Sequence, residues 1–407
     1  MRRARRRWAT PACCVAAAVS LVMAAGCGSS PKSATAPATS SSGQTDVTTG
    51  SSPAASGASI TGNAATLEAA GYKGTYTAPP TNGPPAQKGK NVWIISCGQA
   101  SESCSVPADA AQQAGQMLGW KVTLFDAQLN PANYTVGIDK AIAAGAQGLM
   151  VTAVDCDLAN AALKQAHAAG IKIVGFFSYD CNDPSIASGP PLFSTQVRFN
   201  GYSNLDDVMR AWGAIKAAWV IQHTHGHAKV IDISVPSFLV LKYLDEGFTN
   251  EIATCAGCSI VDHLSISESD LFGPAAGQKL AAALQEHPEA NALHVPNDAS
   301  FAQFANADLK AAGRSSMLVI GGECFAPNIA EIRGGGPENA CNALPQQWTA
   351  FAAMDELNRQ FAAPGSAPVD EGEGFQLVDA TRNLPATGGW APTVNFEAAY
   401  QHVWDAG

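Results

Sequence analysis

From about residue 90 onward, short apolar runs rich in β-formers alternate with longer stretches whose apolar residues recur at helical spacing. Val92, Trp93, Ile94 and Ile95 make the first run, residues 92–96, closed by Cys97-Gly98. Ala110, Ala111, Ala114, Met117 and Leu118 then repeat with the period of one helix face, which Gly119 ends. The same reading predicts strands over 121–126, 148–154, 171–177 and 192–199, with helices over 134–144 and 159–169 between them. A second series follows, with helices over 205–222, 239–253, 275–286, 301–312 and 346–361 and strands over 229–235, 259–265, 292–295, 317–320 and 375–379. Strand–helix alternation with short connections builds a parallel sheet covered by helices on both faces. Two series of similar size therefore predict an α/β protein of two doubly wound parallel-sheet lobes, each with its own core. Ligands of such sheets lie beyond the carboxyl ends of the strands, so two lobes place a site between them.

The first 62 residues follow a different pattern. Arg2, Arg3, Arg5, Arg6 and Arg7 precede an apolar, Ala-rich stretch that ends Ala24-Ala25-Gly26-Cys27. That stretch is too short for a membrane span and has the layout of a signal peptide over 1–26; Ala24-Ala25-Gly26-Cys27 resembles a lipoprotein cleavage box, which implies a lipid on Cys27, the alternative being ordinary cleavage to a free secreted protein. Residues 27–62 are almost entirely Ser, Thr, Gly, Ala and Pro, a composition that cannot bury enough apolar surface to offset its ordering entropy. The chain is thus expected to be exported and held at the outer face of the cell membrane on a disordered leash. The net charge is −10, but five of the 24 basic residues and none of the 34 acidic ones lie in the signal. The remaining balance of −15 argues against nucleic acid and against charge-driven binding to anionic lipid.

Motifs for covalent chemistry are missing. The chain has no Gly-x-Ser-x-Gly, no phosphate-cradling loop and no dinucleotide fingerprint, so no enzymatic activity and no cofactor is expected. His223-Thr-His225-Gly-His227 falls between a helix and the start of a strand and reads as a solvated loop, so no metal is expected either. Beyond Cys13, Cys14 and Cys27, eight cysteines remain, and an even set in an exported chain reads as disulfides.

Several segments, in order, resemble the type I periplasmic solute-binding proteins of ABC importers, in their sugar-binding, ribose-binding-protein-like branch. Residues 119–126 with Asn130-Pro131 are similar to the family's second strand, and 141–148 and 168–174 to the entries of its third and fourth. Asp245-Glu246-Gly247-Phe248, Val295-Pro296-Asn297-Asp298 and Val319-Ile320-Gly321-Gly322-Glu323 resemble its second-lobe motifs. The resemblance implies three hinge crossings, near 198–202, 339–346 and 379–383. The expected layout is an N-terminal extension over 63–89, lobe 1 over 90–199 and 346–378, lobe 2 over 200–345 and 379–383, and a C-terminal extension over 384–407.

It also implies a receptor, acting as a monomer, that takes a small cyclic, sugar-like or partly apolar molecule and hands it to an ABC permease. A sensory protein reporting to a membrane receptor would have the same site. By the family's pattern Asn297 is a binding residue, and Glu323 stands where an Asp is usual. Phe177-Ser178 replaces an Asp-Arg clamp. Gln99, Ser101, Asp155, Tyr179, Phe238 and Phe325 follow strand ends and are expected to face the same crevice. The eight cysteines fall into near-neighbour pairs, Cys97–Cys104, Cys156–Cys181, Cys255–Cys258 and Cys324–Cys341, and Cys156 and Cys181 follow strands adjacent in a 2-1-3-4-5 sheet.

Overall fold

The computed structural model describes residues 63–406 apart from Phe272; the signal, Cys27 and the leash lie outside the described residues. After helix α1 (Ala64–Lys73) the first lobe runs β1 (Asn91–Ser96), α2 (Glu102–Met117), β2 (Lys121–Asp126), α3 (Pro131–Ala143), β3 (Gly148–Thr152), α4 (Asn160–Ala168), β4 (Lys172–Phe176) and β5 (Thr195–Gln196). Its five strands are all parallel, in the order β2-β1-β3-β4-β5. Within β1, Val92 and Ile94 pack to one face and Ile95 to the other, so the apolar run reflects a sheet buried on both sides.

The second lobe contains α5 (Leu205–His223), β6 (Lys229–Ser234), α6 (Leu239–Thr254), β7 (Ser259–Ser265), α7 (Glu268–Leu271), α8 (Ala275–Glu286), β8 (Ala292–His294), α9 (Asp298–Ser300), α10 (Asn306–Ala311), β9 (Leu318–Gly321), α11 (Ala326–Gly334) and β10 (Ala340–Ala343). The chain then returns to lobe 1 as α12 (Gln346–Ala362), which packs on α2 and β4. It crosses again to form β11 (Gln376–Asp379), the antiparallel edge of the second sheet, whose order is β7-β6-β8-β9-β10-β11.

Three expectations change. Residues 376–378 belong to lobe 2, because β11 pairs with β10, a short strand whose Ala-Cys-Asn-Ala sequence carries little β signal. The third crossing consequently lies before β11 rather than at 379–383, and it is bonded to the first crossing in both directions (Glu371 N–H to Arg198 O, Asn200 N–H to Glu373 O). The extensions are also integral to the lobes. Helix α1 packs on α5 and β11, the C-terminal helix α13 (Phe396–Trp404) packs on α12, and Trp390 bonds to Cys324 of lobe 2. Residues 74–85 and 391–395 thereby add two further passages between the lobes to the three hinge crossings.

Candidate functional site

The strand ends of the two sheets face one another across a cavity of about 80 Å³, room for a handful of water molecules. From lobe 1, Ser101 and Ser103 reach it at the start of α2, Thr152 at the end of β3, Phe176 at the end of β4 and Phe177 just after it. From lobe 2 come Trp212 on α5, Phe238 before α6, Asn297 before α9 and Glu323 after β9, with Gln346 at the hinge. Ala153, Phe177 and Cys324, the non-glycine residues that follow β3, β4 and β9, hold left-handed backbone (φ 52°, 45° and 67°). Such backbone is costly for a bulky residue and collects at functional sites. It turns the Phe177 ring back over the cavity, edge-on to Phe176 at 4.8 Å and tilted to Phe199 at 5.9 Å.

The polar groups are few and fixed. Glu323 is buried; its Oε2 accepts from the Asp298 N–H at 2.8 Å and its Oε1 from the Ser103 hydroxyl of the opposite lobe at 2.9 Å. Burial raises its pKa, against the pull of those hydrogen bonds. Asp298 accepts from the N–H groups of Gly322 and Phe325, which ties the β8 and β9 loops together. Beneath them Lys216, wholly buried and with its pKa lowered by burial to about 7, donates to the carbonyls of Val295 and Pro296 and so holds the turn before Asn297. Oδ1 of Asn297 accepts from the Ser300 N–H at 3.1 Å, which leaves its amide nitrogen for the cavity. Two further buried atoms at the lining, Oγ1 of Thr152 and Oε1 of Gln346, have no hydrogen-bond partner among the described residues. Such polar atoms beside an apolar wall are the kind of groups that fix the orientation of a bound small molecule.

Of the expected site residues, Ser101, Phe177, Phe238, Asn297 and Glu323 line this cavity. Gln99 does not; its side chain donates to Ser96 and its backbone to Asp126. Asp155 is buried nearby as a clasp between lobes, accepting from the Tyr179 N–H at 2.9 Å and from the Leu239 N–H, at the start of α6, at 3.2 Å. Tyr179 lines a separate polar recess with Asp183 and Asn204, its ring against Tyr243 of lobe 2. Phe325 lies behind Glu323, in a hollow walled by Trp348 and Trp390. Thr152, Trp212, Ser103 and Gln303 are cavity residues that sequence reasoning missed. The last sits on a π-helical segment, Phe301–Ala305, where the sequence pattern reads as ordinary helix. All four expected cysteine pairs are bridged, and Cys97 and Cys104 themselves line the cavity.

Residues 94–360 match the model of the periplasmic binding protein domain family. The chain belongs to that family. The fold of this periplasmic binding protein recurs in solved structures at low identity. An ABC transporter solute-binding protein from Agrobacterium vitis with bound allitol is 16% identical, with a TM-score of 0.60 over 72% of this chain and 96% of the other. One from Mycobacterium smegmatis with bound glycerol is 18% identical, with a TM-score of 0.61 over 75% of this chain and 100% of the other. The 5-methylthioribose transporter solute-binding protein of Thermotoga lettingae is 18% identical, with a TM-score of 0.56 over 75% of this chain and 89% of the other. No curated protein matches the sequence.

Proposed function

We propose that this binding protein is an extracytoplasmic receptor that captures a compact, partly apolar sugar or polyol between its lobes and delivers it to an ABC permease. The observation that carries the reading is the interlobe cavity at the strand ends, where aromatic rings meet a buried carboxyl and unpartnered polar atoms. Phe177, Phe238 and Trp212 suit the apolar face of a ring, while Asn297, Gln346 and Thr152 offer hydrogen bonds to its hydroxyls. The ligands bound by its structural neighbours, allitol, glycerol and 5-methylthioribose, are of this size and chemistry. Capture by the cavity agrees with the family, whose solved relatives are solute-binding proteins of ABC transporters. Cys27 would carry the lipid that keeps the receptor at the membrane as a monomer.

A thermal-shift screen against sugars, polyols and thio- or deoxy-sugars tests the proposal. A true ligand at a hundred times its dissociation constant stabilises the protein by about 2.7 kcal/mol. A hit must lose its effect when Glu323 and Gln346 are replaced by alanine. A screen with no hit, or one that the double variant leaves unchanged, refutes this site.

A further inference from the structure

Away from the cavity, the second lobe holds a cluster that ligand capture does not use. Asp232 on β6 and His263 on β7 are direct partners in the parallel register, so their side chains leave the sheet on the same face. Helix α6 covers that face and brings Asp245 to them. One ligand atom from each residue, two carboxylate oxygens and a ring nitrogen, lies within 4.8 Å of the other two. Asp232 Oδ2 is 3.1 Å from Nδ1 of His263, and Asp245 Oδ2 is 3.4 Å from its Nε2.

A cluster of charged groups alone would read as a salt bridge. The orphaned atoms point further. Asp232 is fully buried, and its Oδ1 is pinned at 2.6 Å to Nδ1 of the equally buried His294, itself stacked on Phe248 at 3.9 Å. That fixes the carboxylate plane and aims Oδ2 at the cluster, where the His263 ring faces it; on Asp245, Oδ2 accepts from the Ser234 hydroxyl and Oδ1 is buried without a hydrogen bond. Two largely buried carboxylates converging on one imidazole require either protons, shared among the three groups, or a cation. The His263 side chain is 47% exposed, which gives an ion a path from solvent and leaves room for water as a further ligand.

We propose that Asp232, Asp245 and His263 bind a divalent transition-metal ion, zinc above all. Mixed imidazole and carboxylate donors suit zinc, whereas calcium and magnesium prefer all-oxygen shells of six or more. The ion joins the edge strand β7 and helix α6 to β6. Since α6 begins beside Phe238, at the bond to Asp155, zinc braces the half of lobe 2 that meets the ligand.

The test uses the purified, metal-stripped protein and zinc chloride alone, followed by calorimetry and thermal unfolding. One equivalent of zinc is expected to bind and to raise the melting temperature. His263→Ala, at an exposed ring, should keep the fold of the metal-free protein and weaken zinc by more than the about 10–100-fold typical of losing an outer-shell partner. Asp245→Asn should weaken it similarly, and His225→Ala should not. Cobalt(II) should give visible absorption bands that vanish in His263→Ala. No zinc binding up to millimolar concentration, binding that survives His263→Ala, or calcium bound in preference would each overturn the assignment.

Discussion

Asn297 combines a cap and a contact in one side chain, and the two separate by substitution. Aspartate keeps an oxygen for the Ser300 N–H but removes the amide nitrogen that faces the cavity. Asn297→Asp should therefore unfold at the temperature of the parent while losing ligand affinity. Asn297→Ala should lose affinity and also about 1 kcal/mol of stability with the cap. Paired melting curves and titrations check both, and an unimpaired affinity in Asn297→Asp would remove it from the site. Phe177 tests the backbone. Its φ of 45° favours glycine, so ligand-free Phe177→Gly should be more stable than Phe177→Ala by about 1 kcal/mol, the reverse of the usual order. Equal denaturant midpoints would argue against the left-handed turn. At this scale the sequence was legible where a residue sits directly at a strand end, as Phe177 and Glu323 do. It misled where a neighbour captured the side chain, as Ser96 captures Gln99 and Leu239 captures Asp155.

At the scale of elements, the Gly247-Phe248 pair on α6 has a packing explanation. A Cβ on Gly247 would stand 2.0 Å from the Arg210 carbonyl, and one on Gly213 of α5 2.0 Å from that of Leu244. The two helices thus cross backbone to backbone through reciprocal glycines, and neither carbonyl can give way without breaking its helix. Gly247→Ala should cost about 3 kcal/mol or more by overpacking, measured by urea unfolding, although it touches no ligand. The bridges act at the same scale. Cys97–Cys104 closes a loop of the cavity and Cys324–Cys341 ties the Glu323 turn to β10. Each spans few residues, so its effect on global stability is small compared with its effect on loop order. Mild reductant should weaken ligand binding before it lowers the melting temperature; a simultaneous loss of both would show that the bridges hold the fold rather than the site.

For the whole molecule, the bonds between lobes describe a closed form. Ser103 meets Glu323, Asp155 meets Leu239, and Tyr243 donates to Asp183. Burial raises Asp155 to about 7, with the nearby Asp157 and Asp183 adding to the rise and its two backbone donors opposing it. Glu323 is raised in the same direction by burial. An acid raised in the closed form favours closure fully below its open-form value, and that contribution is lost as pH climbs through the closed-form value. Affinity should therefore tighten as pH falls from about 8 toward 5, by at most about tenfold per pH unit for one proton. Asp155→Asn should flatten that slope, and affinity that rises with pH would contradict the clasp. The two added passages, through 74–85 and 391–395, limit how far the lobes can part.

The alternation of apolar runs and helical periods determined the two parallel-sheet lobes, the position of the cleft and the cysteine pairing, because each depends on local period or on neighbours along the chain. Tertiary structure decided the rest. The pairing of β11 with β10, the docking of both extensions and the clasp of Asp155 on α6 join residues tens to hundreds of positions apart. Such contacts are fixed by which surfaces meet once the lobes form, and no local pattern of apolar and polar residues encodes that meeting.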